Sequence, residues 1–244
     1  MSVEQTFSCE IEQTFSGKVA IVTGAGQGIG FEISRQLVRR GARVLLNDSE
    51  ESLAGEAARK IAAEAAGMID AKAAGIPNAG VVSCIPLPGD AGNPEFIDQM
   101  VRRGVEAFGR LDIVIANAGV TLFGDFFSYP PDSFNRVMQL NLAGSFFLAQ
   151  AAALQMKRQG QGGSILFTSS VTGRQAHKNL AAYSMSKAAL QMLARNLVIE
   201  LSPFRITVNA IAPGATLTER TAGDKDYEKT WSALTPMGRP STAT

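Results

Sequence analysis

The sequence predicts an α/β fold in which a parallel sheet is covered by helices on both faces. Two observations support this prediction. Short apolar segments alternate with amphipathic helical segments along nearly the whole chain, and the first such pair is joined by a glycine-rich turn at residues 23–30, TGAGQGIG. Alternating strands and helices form parallel sheets that bind ligands beyond the carboxyl ends of the strands. We therefore expect a three-layer α/β/α sandwich with its site at that edge.

The predicted elements follow one another without internal repeats. Strands are predicted at residues 18–22, 42–47, 81–87, 111–116, 164–168 and 205–211. Helices are predicted at residues 31–40, 49–66, 93–108, 131–158 and 180–201. Gly67 is expected to end the second helix, because glycine commonly follows the last helical residue. Residues 67–80, which have no clear period, then form a connection of unusual length.

The composition favours a single globular domain with a small-molecule ligand. The 244 residues are 45% hydrophobic, and 23 Lys and Arg residues balance 22 Asp and Glu residues, so no charged field points to nucleic acid. No apolar run approaches the ~20 residues of a membrane span. Cys9 and Cys84 lack the spacing of a disulfide framework or a metal site. We predict an arm at residues 1–16, one domain at residues 17–244, no metal, and a cytoplasmic protein.

The glycine-rich turn predicts a phosphate-binding site. Gly24, Gly28 and Gly30 allow a sharp bend and a close approach of a ligand to the backbone. The helix that follows presents free N–H groups and the positive end of its dipole to an anion. The second strand ends next to Asp48, where a carboxylate can accept hydrogen bonds from ribose hydroxyls. A dinucleotide fits this Rossmann-type pattern, although a glycine turn by itself can serve chain geometry alone.

A second group of polar residues predicts proton-transfer chemistry. Tyr183 and Lys187 lie four residues apart in a predicted helix and therefore share one face. An ammonium beside a phenol favours the phenolate, which can accept a proton. Ser170 ends a strand and can donate to a carbonyl oxygen, while Asn141 interrupts an apolar helix and needs a partner, a water or a lysine, if it is buried. Each residue, taken alone, is more readily explained by an ordinary structural role.

In their common order, these motifs closely resemble those of the short-chain dehydrogenase/reductase family. The resemblance covers residues 17–239 and rests on TGAGQGIG, Asn117-Ala118-Gly119, Asn141, Ser170, Tyr183 with Lys187, and Pro213-Gly214. It implies that Tyr183 is the general acid/base and that Ser170 holds the substrate oxygen. It also implies that Lys187 binds the nicotinamide ribose and that Asn141 extends a proton relay through water.

The resemblance further implies a cofactor site and a cofactor. The implied cofactor-binding residues are Gly24, Gln27, Gly28, Ile29, Gly30, Asp48, Asp90, Asn117, Ala118, Gly119, Tyr183, Lys187, Pro213, Gly214, Thr216 and Thr218. Asp48 favours NAD, because a carboxylate repels the 2′-phosphate of NADP. Gln27 agrees, since it stands where NADP-preferring relatives often carry a basic residue.

The predicted function is hydride transfer between NAD(H) and a secondary alcohol or ketone, by a homodimer or homotetramer. Two alternatives stay open: an NADPH-dependent carbonyl reductase of the 3-oxoacyl-carrier-protein type, and a catalytically idle nucleotide-binding protein. Residues 214–237 are expected to cover the substrate through Tyr227, Trp231, Leu234 and Met237, with His177 solvated nearby. Relatives continue past this segment into a seventh strand, so we expect the sixth strand to form an unprotected edge.

Overall fold

The structure is a computed structural model that describes residues 13–70 and 83–244, apart from the side chains of residues 68–70. The strands of its main sheet are β1 (Val19–Val22), β2 (Arg43–Asp48), β3 (Cys84–Pro88), β4 (Ile113–Ala116), β5 (Gly163–Thr168) and β6 (Ile206–Ile211). A small separate pair consists of β7 (Thr216–Leu217) and β8 (Ser241–Thr242).

Helices connect these strands. They are α1 (Gly28–Arg39), α2 (Glu51–Asp70), α3 (Pro94–Phe108), α4 (Pro131–Val137), α5 (Ser145–Gln159), α6 (Ala181–Leu201) and α7 (Tyr227–Leu234). A π-helical segment, Met138–Gly144, joins α4 to α5, so the long helix predicted at residues 131–158 is present but irregular in its middle. Single 3-10 turns occur at Phe126–Ser128, Val171–Gly173 and Ser202–Phe204.

The main sheet is parallel throughout, with the strand order β3-β2-β1-β4-β5-β6. This order confirms the predicted doubly wound sheet. The chain changes winding direction between β1 and β4, and in such sheets the change opens a crevice at the carboxyl ends of the two strands. Among the described residues no seventh strand joins the sheet, so β6 forms one edge as expected.

Alternating side chains of the buried strands build two cores, one on each face of the sheet. Val19 and Ile21 of β1 pack into the core shared with α3, α5 and α6. Ala20 and Val22 pack into the core shared with α1 and α2. Because consecutive side chains of a strand point to opposite faces, a fully apolar strand such as β1 requires helices on both sides. This packing creates the three predicted layers.

Three expectations from the sequence need correction. Helix α2 continues through Gly67 to Asp70, because one glycine costs a helix only about 1 kcal/mol relative to alanine and the alanine-rich flanks favour continuation. Strand β3 begins at Cys84, while residues 81–82 of the predicted strand lie outside the described residues. Its two prolines, Pro86 and Pro88, suit an edge strand, since proline cannot donate to a ladder.

The third correction concerns the long helical run Pro131–Gln159. By length and composition it is apolar enough to cross a membrane, with a mean hydropathy of 1.3 in its most apolar window, contrary to the expectation from the sequence. In the fold, 44% of that window is buried. Leu148, Ala152 and Met156 of this run belong to the core against the sheet, so its apolar character is that of a core helix.

The N-terminal segment contacts the domain where it is described. Residues 1–12 of the predicted arm, including Cys9, lie outside the described residues. Phe15 packs against the core under α1, and its backbone N–H donates to the Arg40 carbonyl over 2.9 Å. Residues 13–16 are therefore docked on the end of α1.

Candidate active site

A cavity of about 740 Å³ lies in the crevice beyond the carboxyl ends of β1 and β4. All catalytic and cofactor-binding residues predicted from the sequence line it except Gly30 and Asn141. The structure therefore brings together residues that are separated by almost 200 positions in the chain. No cluster of three or more His, Cys, Asp or Glu side chains that could hold a metal occurs in the described part of the chain.

The glycine-rich turn presents a backbone N–H to the cavity. Gly28, the first residue of α1, has a φ of +60°, a conformation that favours glycine. Its N–H donates to the Glu219 carboxylate over 3.0 Å. The chain's own anion thus occupies the position where a helix N-terminus binds a phosphate. Sequence reasoning missed Glu219, and no pattern near residue 219 could have identified it.

Gly30 supports the turn from behind and does not line the cavity. A Cβ atom at Gly30 would lie 2.6 Å from Asn117 Nδ2, so no larger residue fits there. The Asn117 amide donates to the carbonyls of Thr23 and Gly24, each over 3.0 Å. Asn117 therefore fixes the shape of the turn. Ala118 and Gly119 continue along the cavity wall beyond it.

Asp48 faces the same turn from the end of β2. Its carboxylate accepts hydrogen bonds from the backbone N–H groups of Gly26, over 3.0 Å, and Glu50, over 3.3 Å. Next to it, the buried Asn47 side chain donates to Leu87 and Gly89 but leaves its own Oδ1 without a partner among the described residues. This end of the cavity thus offers hydrogen-bond acceptors to a ligand.

Asp90 lies on the same side and is already paired. It accepts from Gly92 N over 2.8 Å and forms an ion pair with Arg136 over 2.9 Å. Partial burial favours the neutral carboxyl, but these two hydrogen bonds outweigh it and hold the pKa of Asp90 below its ordinary value. The Arg136 charge is therefore largely balanced at this end of the cavity.

Lys187 places a buried positive charge next to Tyr183. Its side chain is 3% exposed, and Nζ donates to the Thr168 carbonyl over 2.7 Å. Nζ also lies 5.6 Å from the centroid of the Tyr183 ring. Burial lowers the pKa of Lys187 to about 8, because water is removed from the ammonium group. The Thr168 hydroxyl is buried without a partner in the described structure.

Ser170 is held with its hydroxyl oxygen as an acceptor. It receives hydrogen bonds from Thr172 N over 3.2 Å and from the Thr172 hydroxyl over 3.1 Å. Its own proton is used in neither contact, so the hydroxyl can donate to an oxygen atom in the cavity.

Asn141 is completely buried in the π-helical segment. Its Oδ1 accepts from Val120 N over 2.8 Å, and its Nδ2 donates to Val120 O over 3.0 Å and to the Ser186 hydroxyl over 3.2 Å. Its partners among the described residues are therefore the Val120 backbone and the Ser186 hydroxyl. Asn141 links the segment after β4 to α6, the helix that carries Tyr183 and Lys187.

The segment after β6 closes the other side of the cavity. Pro213, Gly214, Thr216 and Thr218 line it, and Arg220 donates to the Gly119 carbonyl across the opening over 3.2 Å. Tyr227 and Trp231 also line it. Leu234 and Met237, which the sequence analysis expected to cover the substrate, are 60% and 75% exposed and do not line the cavity.

A nicotinamide dinucleotide fits the residues present. An anion already sits on the Gly28 N–H, acceptors face the ribose end next to Asp48, and two buried polar atoms on the wall, Asn47 Oδ1 and Thr168 Oγ1, have no partner within the described structure. Gly28, Asp48 and Lys187 would hold successive parts of such a cofactor.

Comparison with known proteins identifies the family. The family described as short chain dehydrogenase matches residues 18–229. The chain belongs to the short-chain dehydrogenase/reductase family. It is 40% identical to a versicolorin reductase of Emericella nidulans, over 83% of this chain and 70% of that protein. It is 33% identical to an L-rhamnose 1-dehydrogenase (NAD(P)(+)) of Azotobacter vinelandii, over 91% of this chain and 83% of that one.

Solved structures of this family have the same fold. A short-chain type dehydrogenase/reductase from Mycobacterium marinum is similar over 95% of this chain and 85% of its own, with a TM-score of 0.82 at 30% identity. A 3-ketoacyl-(acyl-carrier-protein) reductase from Brucella melitensis, solved with NADH, covers 94% of this chain and 87% of its own with a TM-score of 0.80 at 25% identity. This protein is therefore an oxidoreductase of a family whose members bind a nicotinamide cofactor.

Proposed function

We propose that the protein transfers a hydride between NAD(H) and a secondary alcohol or the corresponding ketone. The observation that carries the proposal is the buried Lys187 ammonium, 5.6 Å from the Tyr183 ring centroid, in the cavity that Ser170 and the glycine-rich turn also line. A buried cation attracts negative charge, so it stabilises the charge that develops on a neighbouring phenol oxygen when a proton is transferred. A tyrosine placed in this way, in a cavity with a hydroxyl donor, is suited to exchanging a proton with an alcohol.

The residues act as follows. In the direction of oxidation, the Tyr183 phenolate accepts the hydroxyl proton of the substrate while Ser170 donates a hydrogen bond to the same oxygen. A nicotinamide cofactor, which Gly28, Asp48 and Lys187 would hold, would supply the acceptor for the hydride that the carbinol carbon loses on becoming a carbonyl carbon. In the direction of reduction, Tyr183 returns the proton to the oxygen. Lys187 keeps its charge near the ring through its hydrogen bond to Thr168 O.

Asn141 serves as a positioning residue in this proposal. Both hydrogens of its amide and one lone pair of its oxygen are committed to Val120 and Ser186. A proton relay through water, as the family resemblance implies, could use only the remaining lone pair of this oxygen. We assign the three bonds that are formed to the placement of α6 against the segment after β4.

We assign NAD on the basis of charge at the ribose end of the cavity. Asp48 lies at the end of β2 with its carboxylate turned towards the glycine-rich turn, and the two arginines that line the cavity, Arg136 and Arg220, contact Asp90 and the Gly119 carbonyl. A 2′-phosphate bound beside Asp48 would be repelled by its carboxylate. The NADH bound to the Brucella melitensis reductase is consistent with this assignment.

An NADPH-dependent carbonyl reductase is the alternative enzyme. The names of several relatives favour reduction, among them the versicolorin reductase and a tetrahydroxynaphthalene reductase of Pyricularia oryzae that is 37% identical over 84% of this chain and 67% of that protein. Initial rates with NAD(H) and NADP(H), measured in both directions, decide between them. A clear preference for NADP(H) would refute the NAD assignment.

The Tyr183→Phe variant tests the mechanism. We expect it to bind NADH as the wild type does and to lose turnover by at least about a hundredfold, since proton transfer by a positioned side chain contributes that much. Near-normal turnover would refute the role of Tyr183. The wild type should also be screened with sugars, steroids, polyols and acyl thioesters. If the intact protein binds the cofactor but converts none of these compounds, the idle nucleotide-binding alternative is favoured.

We also propose that the protein is a homo-oligomer, a dimer or tetramer. Met185, Met192 and Ile199 are exposed on α6 at intervals of seven residues and form one apolar stripe, and Phe146 and Phe147 are exposed near the start of α5. Family members typically assemble into oligomers, so a second copy is the partner we assign to this stripe. A variant with Met192→Asp and Ile199→Asp is expected to elute as a smaller species in light-scattering chromatography; an unchanged mass would exclude this surface.

The remaining assignments rest on the sequence. A cytoplasmic location follows from the cysteine content, and Cys84 is a free, buried thiol in the structure. The division into an arm at residues 1–16 and one domain at residues 17–244 is likewise retained as a proposal.

A further inference from the structure

Four aromatic side chains from three separate segments meet at the mouth of the cavity. Phe123 comes from the segment after β4, His177 from the segment after β5, and Tyr227 and Trp231 from α7. The His177 ring stacks on the Trp231 ring, with centroids 5.3 Å apart and an interplanar angle of 29°. Phe123 meets His177 edge-on at 6.5 Å, and Tyr227 lies 6.0 Å from Trp231. His177 is thus half-buried among aromatic rings and not solvated as the sequence suggested.

This aromatic cluster (Phe123, His177, Tyr227 and Trp231) lies next to the proposed proton donor. Burial raises the pKa of Tyr227, and the charges of Tyr183 and Asp224 raise it further. A hydrogen bond that Tyr227 accepts from Thr216 N, over 3.2 Å, lowers this pKa and offsets part of the rise. Tyr227 and Tyr183 both line the cavity. The same hydrogen bond anchors the first turn of α7, and hence the cluster, to β7.

The cavity wall combines aliphatic and polar side chains, and two of its charged groups are engaged. Val120, Val171 and Leu180 supply aliphatic surface, while Thr121, Thr172 and Thr221 are polar. The Asp224 carboxylate accepts from Asp226 N over 3.1 Å, and Arg220 donates to Gly119 O. A ligand that lies against the cluster therefore meets flat ring faces, with aliphatic side chains on the same wall.

We propose that the substrate is a flat, apolar ring system, namely an aromatic or fused-ring ketone or its alcohol, and that Trp231 and Tyr227 contact its ring. This inference rests on the proposed function and adds the class of substrate. Aromatic rings bind one another in offset and edge-on arrangements, as the cluster already does internally. Sugar hydroxyls that faced these rings would be buried without partners, which weakens binding.

The first test measures binding without turnover. Trp231 is the only tryptophan in the chain, so the intrinsic tryptophan fluorescence reports on the cluster alone. Titration of the Tyr183→Phe variant, saturated with NAD so that no turnover occurs, with 2-naphthol is expected to quench this emission at a concentration about tenfold below that required for saturated 2-decalol. L-Rhamnose at the same concentrations should leave the emission unchanged. Equal affinity for naphthol and decalol, or tighter binding of rhamnose, would overturn the proposal.

The second test measures turnover on a matched pair of ketones, 2-tetralone and 2-decalone. We expect Trp231→Leu to lower kcat/KM for 2-tetralone about tenfold and Trp231→Phe to restore most of it, while cofactor affinity stays unchanged. Leu234→Ala is the control, because Leu234 lies on the same helix but outside the cavity. If the control loses as much as Trp231→Leu, the effect belongs to the stability of α7 and the proposal fails.

The two tests separate this proposal from the proposed function. Naphthol binding with no reduction of either ketone would leave the aromatic site standing and refute the hydride-transfer function. Reduction of both ketones at equal efficiency in wild type and Trp231→Leu would leave the function standing and refute the aromatic substrate class.

Discussion

Replacing Glu219 by Gln tests whether the chain's own carboxylate competes with the cofactor at the glycine-rich turn. In the structure this carboxylate accepts the Gly28 N–H over 3.0 Å at the start of α1. A pyrophosphate bound at the same turn needs that N–H, so the internal contact must open first. Glutamine keeps the length of the side chain but removes the charge that the helix N-terminus favours.

The size of the effect follows from the exposure of the side chain. Glu219 is exposed, and a carboxylate at an exposed helix N-terminus contributes about 0.3–1 kcal/mol. Since about 1.4 kcal/mol corresponds to a tenfold change in an equilibrium constant, removing the charge should tighten pyrophosphate binding about two- to fivefold. The gain should shrink as salt is added, because ions screen exposed charges.

Calorimetric titration with two fragments of the cofactor makes the test specific. ADP-ribose contains the pyrophosphate, whereas adenosine does not, so Glu219→Gln should lower the Kd of ADP-ribose and leave that of adenosine unchanged. Glu228→Gln, which removes an exposed carboxylate from α7, is the control for net charge. Equal gains for both fragments, or weaker binding of ADP-ribose, would show that Glu219 does not compete for the anion site.

Three further predictions concern the cofactor, the buried lysine and the turn. Asp48→Ala should raise kcat/KM with NADP relative to NAD by at least about tenfold in spectrophotometric assays, since it removes the repulsion of the 2′-phosphate; an unchanged ratio would contradict the role of this charge. Lys187 has a pKa of about 8 in the folded protein against an ordinary 10.5, so the unfolded chain binds more protons between these values and the free energy of unfolding should rise with pH there. The free energy of unfolding, measured with urea, should rise by about 2 kcal/mol from about pH 8 to about pH 9.5 in the wild type but not in Lys187→Met. Parallel pH dependences in the two proteins would refute the lowered pKa of Lys187. Gly30→Ala should cost about 1–3 kcal/mol of stability because its Cβ would overlap Asn117. Gly55→Ala, with open space around it in α2, should be neutral or stabilising. Similar changes in the free energy of unfolding for the two variants would exclude the clash.

Much of the fold could be predicted because it depends on local patterns. Strand β1 is apolar at every position, so it had to be covered on both faces, and the glycines after it marked the site edge of the sheet. The positions of Asp48, Ser170 and Tyr183 on the cavity wall could be predicted for the same reason, since each stands at a strand end or one helical turn from a partner. The end of α2 was missed, because Gly67 lies on a helix surface where its cost is small.

The parts that could not be predicted depend on contacts between distant segments. Asn141 lies in a π-helical segment, and the apolar sequence around it has no period that separates i→i+5 from i→i+4 hydrogen bonding. Its side chain is held by Val120 and Ser186, which lie 21 and 45 residues away, and an asparagine does not encode which backbone group will satisfy it. The irregular segment places this amide between the segment after β4 and α6, so it sets the position of Tyr183 without touching the cavity. Asn141→Ala should therefore loosen α6 and speed amide hydrogen exchange along this helix. If Asn141 acted only as a proton relay, its loss would leave the packing of α6 and the exchange rates unchanged.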